Sequence, residues 1–420
     1  MSHNGEKVFL IGIVHPHQHI QETEDHLNEL NHLADTAGGQ VVGTFIQENK
    51  NINPATLIGK GKAKEIAEIV KKKHVDAVIF DDDLTPAQIK NLEKITQAKI
   101  IDRSNLILDI FVKRAKTREA KTQVELAQLK YLLPRLTRRW THLSRQVGGI
   151  GTRGVGETQL EIDRRLIKKR IIKLTKELQK IEMGRAERRK GRESIFKVAL
   201  IGYTNAGKTS LFNAFTEARG FVEDRLFATL DTLVRKCQLG GGDKILLIDT
   251  VGFIRKLPIH LVASFRSTLE EVVVADLLLE VVDLSHERYQ DHLKITEGVK
   301  GDLGIIDKPC LIVFNKIDLV SSAILERAEK LYPDALFVSA TRRQNFDDIE
   351  QGISDTINRK KMVIDLHLKP GAEDIIGFMH QKGEIIERSY VDGHISIRFR
   401  STRDNIQKVC HLAEIKGALV

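Results

Sequence analysis

Cysteine and aromatic residues are scarce in this chain, and long apolar runs are missing altogether. Its three cysteines, Cys237, Cys310 and Cys410, stand far apart with no C-x-x-C pair, which excludes a disulfide framework and a thiolate metal site and fits a reducing cytosol. Aromatics make up only 5% of the residues, so the core has to be built mainly from aliphatic side chains. The first apolar run, "VFLIGIV" from Val8, has no basic leader and is too short for a signal segment or a membrane span. It reads as a strand. What the chain has instead is length and charge. Its 420 residues exceed one core and predict roughly three domains. A formal net charge of +9 suggests a polyanionic partner if the charge is gathered on one face.

Residues 5–110 alternate short apolar runs ("KVFLIGIV", "QVVGTFI", "VDAVIFD", "KIID") with helical stretches ("EDHLNELNHLADTAG", "AKEIAEIVKKK", "TPAQIKNLEKI"). This is the pattern of an α/β unit with a mainly parallel sheet. His15, His17 and His19 alternate at the end of the first strand, but no carboxylate or thiolate accompanies them at ligand spacing, so a polar strand end is expected rather than a metal site. "IGKGK", Ile58 to Lys62, lacks Walker spacing and reads as a solvated basic turn.

The next region differs in character. Leu126, Leu129, Leu133, Leu136, Trp140 and Leu143 are spaced by three and four, and Ile167, Ile171, Leu174, Leu178 and Ile181 repeat the rhythm, which predicts two long helices facing one another. Thr158 and Glu161 form a T-x-x-E capping box, so the second helix should start there. Gly148 to Glu157 then becomes the loop at the tip of a helical hairpin. Pro134 should kink the first helix, because it cannot donate and its ring crowds the preceding turn. From Lys113 to Glu193 there are 24 Lys and Arg against 9 Asp and Glu. That excess of +15 leaves the rest of the chain at −6, so the basic charge belongs to the hairpin. Part of it only solvates outer helix faces, but an unneutralised cluster of this size repels itself and attracts phosphate, which favours nucleic-acid contact.

From Phe196 to about Lys360 the alternation returns, with "FKVALIG", "KILLIDT", "LLLEVVD", "PCLIVFN" and "ALFVSA" as buried-strand runs of a doubly wound sheet. "GRAERRKGRES", broken by Gly184 and Gly191, reads as the linker to it. A tail follows with two strands around "MVIDLHL" and "HISIRFR", a turn at Asp392 and Gly393, and two helices. The expected division is an α/β unit at 1–112, the basic hairpin at 113–190, a P-loop domain at 195–360 and a small α+β domain at 361–420.

"GYTNAGKT" matches G-x-x-x-x-G-K-[ST] between a buried strand and a helix, the context that the motif requires. Gly202 and Gly207 let the amides of Tyr203, Thr204, Asn205 and Ala206 curl around phosphates at a helix N-terminus. Lys208 reaches the terminal phosphates, and the Thr209 hydroxyl ligates magnesium (Mg2+). Some forty residues on, "DTVG" supplies D-x-x-G: Asp249 holds magnesium through water, and the Gly252 amide, after Thr250 and Val251, meets the γ-phosphate. "NKID" then selects the base, because Asp318 can accept from the ring NH and the exocyclic amino group of guanine, a pair that adenine does not offer. Asn315, Lys316 and Ile317 hold this loop, with the Lys316 stem covering the ring. Ser339, Ala340 and Thr341 of "FVSAT" bring the Ala340 amide to the guanine carbonyl.

These residues resemble the HflX-type GTPases, relatives of Obg among the translation-factor-related GTPases, over nearly the whole chain. "GYTNAGKT", "FATLD", "DTVGF", "LPIHLVASFRSTLEEVVVADLLLEVVD" and "NKID" carry the likeness, and "GGIGTRGVGETQLEIDRR" looks like the family's characteristic loop. By that resemblance Thr229, within Phe227, Ala228, Thr229, Leu230 and Asp231, is the switch threonine that joins Thr209 on magnesium. The residues alone do not separate it from Thr216 or Thr232. The family usually continues FATLDPTTR where this chain has "FATLDTLVRK", which alters the switch after Asp231, and commonly has GKS where this chain has GKT, which keeps the hydroxyl.

The resemblance implies binding to the large (50S) ribosomal subunit, with the hairpin tip directed towards the peptidyl transferase region and splitting of 70S ribosomes as the outcome. Each hairpin helix is expected to have roughly 28 to 33 residues, placing the tip some 40 Å from its base. Arg145, Arg153, Arg164 and Arg165 can pair with rRNA phosphates or stack on unpaired bases. Lys208, Thr229 and Gly252 carry the chemistry of GTP hydrolysis. Phe253, after D-x-x-G, cannot orient water, so slow basal turnover stimulated by the partner is expected. Asn205 either braces the P-loop or coordinates an activating potassium ion (K+). A monomer in the cytoplasm is expected. Two rivals remain: an RNA-binding assembly or storage factor gated by nucleotide, and a signalling switch acting on proteins, against which the basic hairpin argues.

Overall fold

The structure, a computed structural model, describes residues 5–16, 18–48, 53–136, 159–190, 195–216, 226–227, 232–256, 266–391 and 393–419. Its first sheet is parallel, in the order β2-β1-β3-β4, from β1 (Lys7–Val14), β2 (Gln40–Glu48), β3 (Ala77–Phe80) and β4 (Lys99–Asp102). A parallel sheet is covered on both faces, which is why β3, "AVIF", is buried at every position. Along β1 the two faces alternate. Val8 and Leu10 pack with Leu27, Leu30 and Leu33 of α1 (Ile20–Ala37) and Ile107 and Phe111 of α4 (Arg103–Arg114). Phe9 and Ile11 pack with Ile66 and Val70 of α2 (Lys60–Lys73) and Leu92 of α3 (Pro86–Thr96). Helix α3 starts on a Thr85/Gln88 capping box with proline in its first turn. "IGKGK" is not a free turn: Ile58 is buried, Gly59 caps α2, and Lys60 to Lys62 form its first turn, solvated as their charge requires.

Helix α5 (Arg118–Leu132) and helix α6 (Gln159–Lys190) run antiparallel as an arm. Leu126 and Leu129 meet Ile171, Leu174, Leu178 and Ile181 along the seam, and Arg118–Glu177 at 2.5 Å and Arg170–Glu125 at 2.6 Å flank it. The described helix α5 ends at Leu132 after 15 residues and Pro134 lies in a turn directly beyond it, while residues 137–158, into which the first helix is expected to continue, lie outside the described residues. A turn past a helix end is where a residue that cannot donate and crowds the preceding carbonyl is best tolerated. Gly184 does not break the chain: α6 passes through it, and a side chain there would meet nothing within 4 Å. Trp140, Leu143 and the tip at 148–157 lie outside the described residues, as does Thr158, so the expected capping box lies outside them too; the described part of α6 begins at Gln159.

The arm is fastened at its base. Asp102, fully buried at the end of β4, caps α4 through the Asn105 amide at 2.9 Å and accepts from Tyr131 Oη at 2.7 Å and Arg135 Nη2 at 2.9 Å. The Arg135 guanidinium also lies 3.4 Å over the Tyr131 ring. Burial and the Asp102 carboxylate push the Tyr131 hydroxyl above its ordinary range, so it stays a donor.

The central sheet runs β10-β9-β8-β5-β7-β6, from β5 (Phe196–Ile201), β6 (Leu233–Gln238), β7 (Lys244–Asp249), β8 (Leu277–Asp283), β9 (Cys310–Asn315) and β10 (Leu336–Phe337). Only β6 is antiparallel, pairing with β7 at the edge, and nothing in its mixed sequence "LVRKCQ" announced it as a strand. Helices α7 (Lys208–Thr216), α8 (Arg266–Val273), α9 (Tyr289–Asp302), α10 (Ser322–Leu331) and α11 (Phe346–Lys360) connect these strands. The C-terminal part is an antiparallel sheet, β11 (Lys361–Leu368), β13 (His394–Thr402) and β12 (Glu384–Val391), with α12 (Glu373–Lys382) and α13 (Arg403–Ile415). Gly393, at φ 78°, takes the turn between β12 and β13. Among the described residues no helix is long and apolar enough to cross a membrane.

Candidate nucleotide site

Strand β5 delivers the chain into a loop that only glycine permits at two points. Gly202 has φ 136°, and a Cβ there would fall 2.2 Å from the Val281 carbonyl oxygen. Gly207 has φ 91°, and a Cβ would fall 2.1 Å from Asn315 Nδ2. Asn205 between them also has positive φ, 62°. The loop ends on the N-terminus of α7, where exposed amides favour anions.

Lys208 is buried, 6% exposed, and its Nζ donates to the carbonyls of Gly202 at 3.1 Å and Tyr203 at 2.6 Å. Burial lowers its pKa to about 8, an effect that the charge of Asp249 partly opposes. Thr209 Oγ1 donates to Asp249 Oδ2 at 2.7 Å. A hydroxyl and a carboxylate converging at the helix start are the hard oxygen donors that Mg2+ prefers, so these residues fit it. Among the described residues no three His, Cys, Asp or Glu side chains form a group that could by itself hold a metal ion, and a magnesium at phosphates needs no such cage because waters and phosphate oxygens fill its shell. His15 instead pairs with Asp82 at 2.9 Å, a polar strand end, and His17 lies outside the described residues.

The D-x-x-G segment is stitched to the P-loop. Phe253 N donates to Gly202 O at 3.0 Å and Thr204 N to Phe253 O at 2.8 Å, while Thr250 Oγ1 donates to Leu200 O at 2.6 Å. Val251 follows, and Gly252 lies so close that a Cβ on it would meet Thr204 Cα at 2.7 Å and Lys208 Nζ at 3.0 Å. Thr204 turns its Cγ2 towards this corner, and its Oγ1 is buried with no hydrogen-bond partner among the described residues. Phe253 is itself a core side chain, 3% exposed beside Ile248, Val272 and Leu278.

The base loop follows β9. Asn315 Nδ2 donates to Ala206 O at 2.9 Å and Asn315 Oδ1 accepts from Ala340 N at 2.9 Å, so one side chain joins three segments. Lys316 turns through φ 66°, and its Nζ is held by Asp283 Oδ2 at 2.6 Å. Asp318 sits in the short 3-10 turn Ile317–Leu319, with Arg342 Nε 3.7 Å from its carboxylate. Ser339 is fully buried and accepts from Arg342 N at 3.1 Å, while Thr341 is exposed.

Ala228, Thr229, Leu230 and Asp231 lie outside the described residues, as do Arg145 and Arg153. Of the rival threonines, Thr216 is committed to Phe212 O at 2.7 Å. Phe227 is placed far from solvent, 2% exposed, its ring edge-on to Phe111 with centroids 4.7 Å apart. Arg164 and Arg165 are exposed on α6.

Several polar residues at the site carry no sequence motif of their own. Tyr203 stacks on His292 with centroids 3.9 Å apart, accepts from Arg255 N at 3.0 Å and donates to Glu29 of α1. Arg103, 2% exposed, donates to Asp81 at 2.6 Å, to Glu29, and to the Arg255 carbonyl at 3.1 Å. Lys256 reaches Asp81 at 2.6 Å and Asp82 at 3.1 Å. The signal available for these was "FDDDL", three carboxylates in a row at the C-terminal end of a buried parallel strand, where such sheets gather polar groups.

A doubly wound sheet with a P-loop, D-x-x-G and N-K-x-D at successive strand ends defines a guanine-specific P-loop GTPase. Family models described as GTP-binding GTPase N-terminal, GTP-binding GTPase Middle Region and 50S ribosome-binding GTPase match residues 24–112, 114–192 and 197–316. The chain is 45% identical over 398 residues to GTPase HflX of Flavobacterium psychrophilum, covering 89% of this chain and 96% of the relative. It is 40% identical to GTPase HflX of Escherichia coli, covering 93% and 94%. A solved GTP-binding protein of Sulfolobus solfataricus in complex with GDP is 26% identical over 84% of this chain and 98% of its own, with a TM-score of 0.44. The chain belongs to the HflX family of GTPases.

Proposed function

We propose that this chain is a GTP-switched factor of the large (50S) ribosomal subunit that helps to part 70S ribosomes. As an HflX family member it is a GTPase, converting GTP and water to GDP and phosphate. The observation that carries the ribosomal reading is the arm. Helix α6 has 32 residues, about 48 Å at 1.5 Å per residue, with Arg164 and Arg165 exposed near its start. The region from Lys113 to Glu193 holds 24 basic against 9 acidic residues, a charge that rRNA phosphates would neutralise. The description of the matched family model, 50S ribosome-binding GTPase, points the same way.

In this reading residues 1–112 carry the arm at 113–190, residues 195–360 bind nucleotide, and 361–420 form a separate small unit. Residues 202–209 cradle the phosphates, Asp318 reads guanine, and the Ala340 amide meets its carbonyl. Thr209, Asp249 and, by the family resemblance, Thr229 would hold Mg2+, which when bound would offset charge on the phosphates. Lys208 and the Gly252 amide stabilise the γ-phosphate as charge spreads over it. Basal hydrolysis is slow because Phe253 is a core side chain and offers water no hydrogen bond, and 50S contact stimulates it. Asn205 either braces the loop or coordinates a potassium ion (K+), and equal turnover in potassium and sodium buffers would leave only the bracing role. GTP binding favours the subunit-bound form and hydrolysis releases a monomer to the cytoplasm.

Sedimentation of purified 70S particles with the chain and GTP or a non-hydrolysable analogue tests this. Conversion to 30S and 50S peaks is expected. Co-sedimentation without splitting would instead mark an assembly or storage factor, and no association would end the ribosomal reading.

A further inference from the structure

Two adjacent residues at the end of β4 serve different parts of the molecule. Asp102 fastens the arm, through Tyr131 Oη at 2.7 Å and Arg135 Nη2 at 2.9 Å. Arg103 fastens the nucleotide site, through the Arg255 carbonyl at 3.1 Å and through Glu29, which holds Tyr203 of the P-loop. Asp81, at the end of the neighbouring strand β3, binds Arg103 at 2.6 Å and Lys256 at 2.6 Å, so the two cations that meet the segment 254–256 share one carboxylate, and chain adjacency of Asp102 and Arg103 is what joins them to the arm. Apolar contacts surround this cluster: Tyr203, Leu226, Phe227 and Ile254 belong to the same buried group as Leu27, Leu30 and Phe111.

Burying so much charge is a poor route to stability, since apolar side chains of similar volume serve an interface as well or better. What buried charge does give is one permitted register. If residues 254–256 slide, Arg103 loses the Arg255 carbonyl, Lys256 loses Asp81 and Asp82, and Tyr203 loses the Arg255 amide in a single step. Gly252, three residues upstream of Arg255, is packed against Thr204 and Lys208 where a γ-phosphate has to be accommodated. Contacts that all rest on residues 254–256 would make or break together if the group bound there moved this segment.

We infer that the Asp102–Arg103 step is the junction between nucleotide and arm, with Arg103 and Lys256 as positioning residues whose contacts change with the γ-phosphate and reset the base of α5. This rests on GTP being the ligand of the site and on nothing about the ribosome. Coupling of this kind is a difference in free energy between two states, typically worth 5-fold to 150-fold.

Hydrogen exchange of the full chain, saturated with GDP or with a non-hydrolysable GTP analogue, tests it without ribosomes. In the wild type, residues 249–256 and also 103–114 and 118–132 should differ between the two nucleotides, with rates in α4 and α5 changing at least about fivefold. Lys256→Met should keep the response at 249–256 and lose that of α4 and α5, and Lys256→Arg should restore it. Arg103→Met should act likewise, but Lys256 is partly exposed and so is the safer variant for folding. An unchanged α4 and α5 response in Lys256→Met, or a wild type in which only 249–256 responds, would overturn the junction. A wild type in which 249–256 ignores both nucleotides would sink the GTP reading of the site instead.

Discussion

Asn315 occupies the space that a side chain on Gly207 would need, its Nδ2 lying 2.1 Å from where that Cβ would stand. From there it bonds Ala206 and Ala340, so phosphate loop and base loop are set by one amide. Replacing it with alanine removes one hydrogen bond each from a buried carbonyl and a buried amide, at about 1 to 1.5 kcal/mol each. Asn315→Ala should therefore weaken GDP binding by roughly 30-fold to 150-fold, with 1.4 kcal/mol per factor of ten. Equilibrium titration with a fluorescent GDP measures it, and a loss below threefold would show that the loops do not depend on this side chain.

Asp318 is expected to read guanine by accepting twice. Asp318→Asn turns one acceptor into a donor, which clashes with the guanine amino group and suits a carbonyl at the same place. Binding of GTP should fall by about 100-fold or more, while xanthosine triphosphate, which carries that carbonyl, should gain. Competition between the two nucleotides reads the exchange directly.

Lys208 has its pKa lowered to about 8 by burial. Without nucleotide it is charged below that pH and neutral above it, whereas bound phosphates favour the ammonium. Nucleotide binding above pH 8 should therefore take up a proton, with affinity falling as pH rises. Calorimetry at pH 9 in buffers of different ionisation enthalpy detects the uptake. The nucleotide-free chain should show the opposite trend in stability. The folded pKa lies below the ordinary 10.5, so between about pH 8 and 10.5 the unfolded state binds more protons and folding gains with pH.

His292, stacked under Tyr203, has its pKa lowered to about 3 by burial, with His286 and Arg255 adding to the effect. The unfolded chain takes a proton there near pH 6.5 while the folded chain does not. Stability should then fall by about 2 kcal/mol between pH 7 and pH 5 through this residue alone. His292→Phe keeps an aromatic stack and should flatten that part of the urea-unfolding profile. An unchanged slope would place the acid sensitivity elsewhere.

Arg164 and Arg165, exposed on α6, are the proposed contacts to rRNA backbone. Changing both to glutamine should lower the slope of log affinity for 50S subunits against log salt by about 1.5, since each phosphate contact contributes roughly 0.7 to 0.9. An unchanged slope would mean that the arm meets RNA through other residues.

The two wound sheets were legible because parallel strands must be apolar on both faces, and "AVIF" or "FKVALI" can be little else. The nucleotide motifs were legible for a related reason: phosphate cradles need glycine at fixed spacing, and Gly202 and Gly207 do take the backbone angles that exclude other residues. Strand β6 was not legible, since an edge strand with one solvated face, "LVRKCQ", lacks an apolar run. The break at Pro134 was legible as a disturbance but not as the turn that ends the described helix at Leu132, because the seam spacing continues past it. Least legible was the cluster of Glu29, Asp81, Arg103 and Lys256. Its members come from four distant stretches, and each alone reads as an ordinary surface charge; only the fold makes them neighbours.

The arm also has a kinetic meaning. With +15 carried between Lys113 and Glu193 and −6 on the remainder, the protein is an electric dipole with the long axis of α6 on its positive side. In the field of a polyanion such a molecule experiences a torque before it makes any contact. If the proposed polyanionic partner is right, the protein would turn arm first during approach, so the productive orientation would be selected in solution rather than by trial on the surface. Added salt would then slow its capture before it loosened its grip.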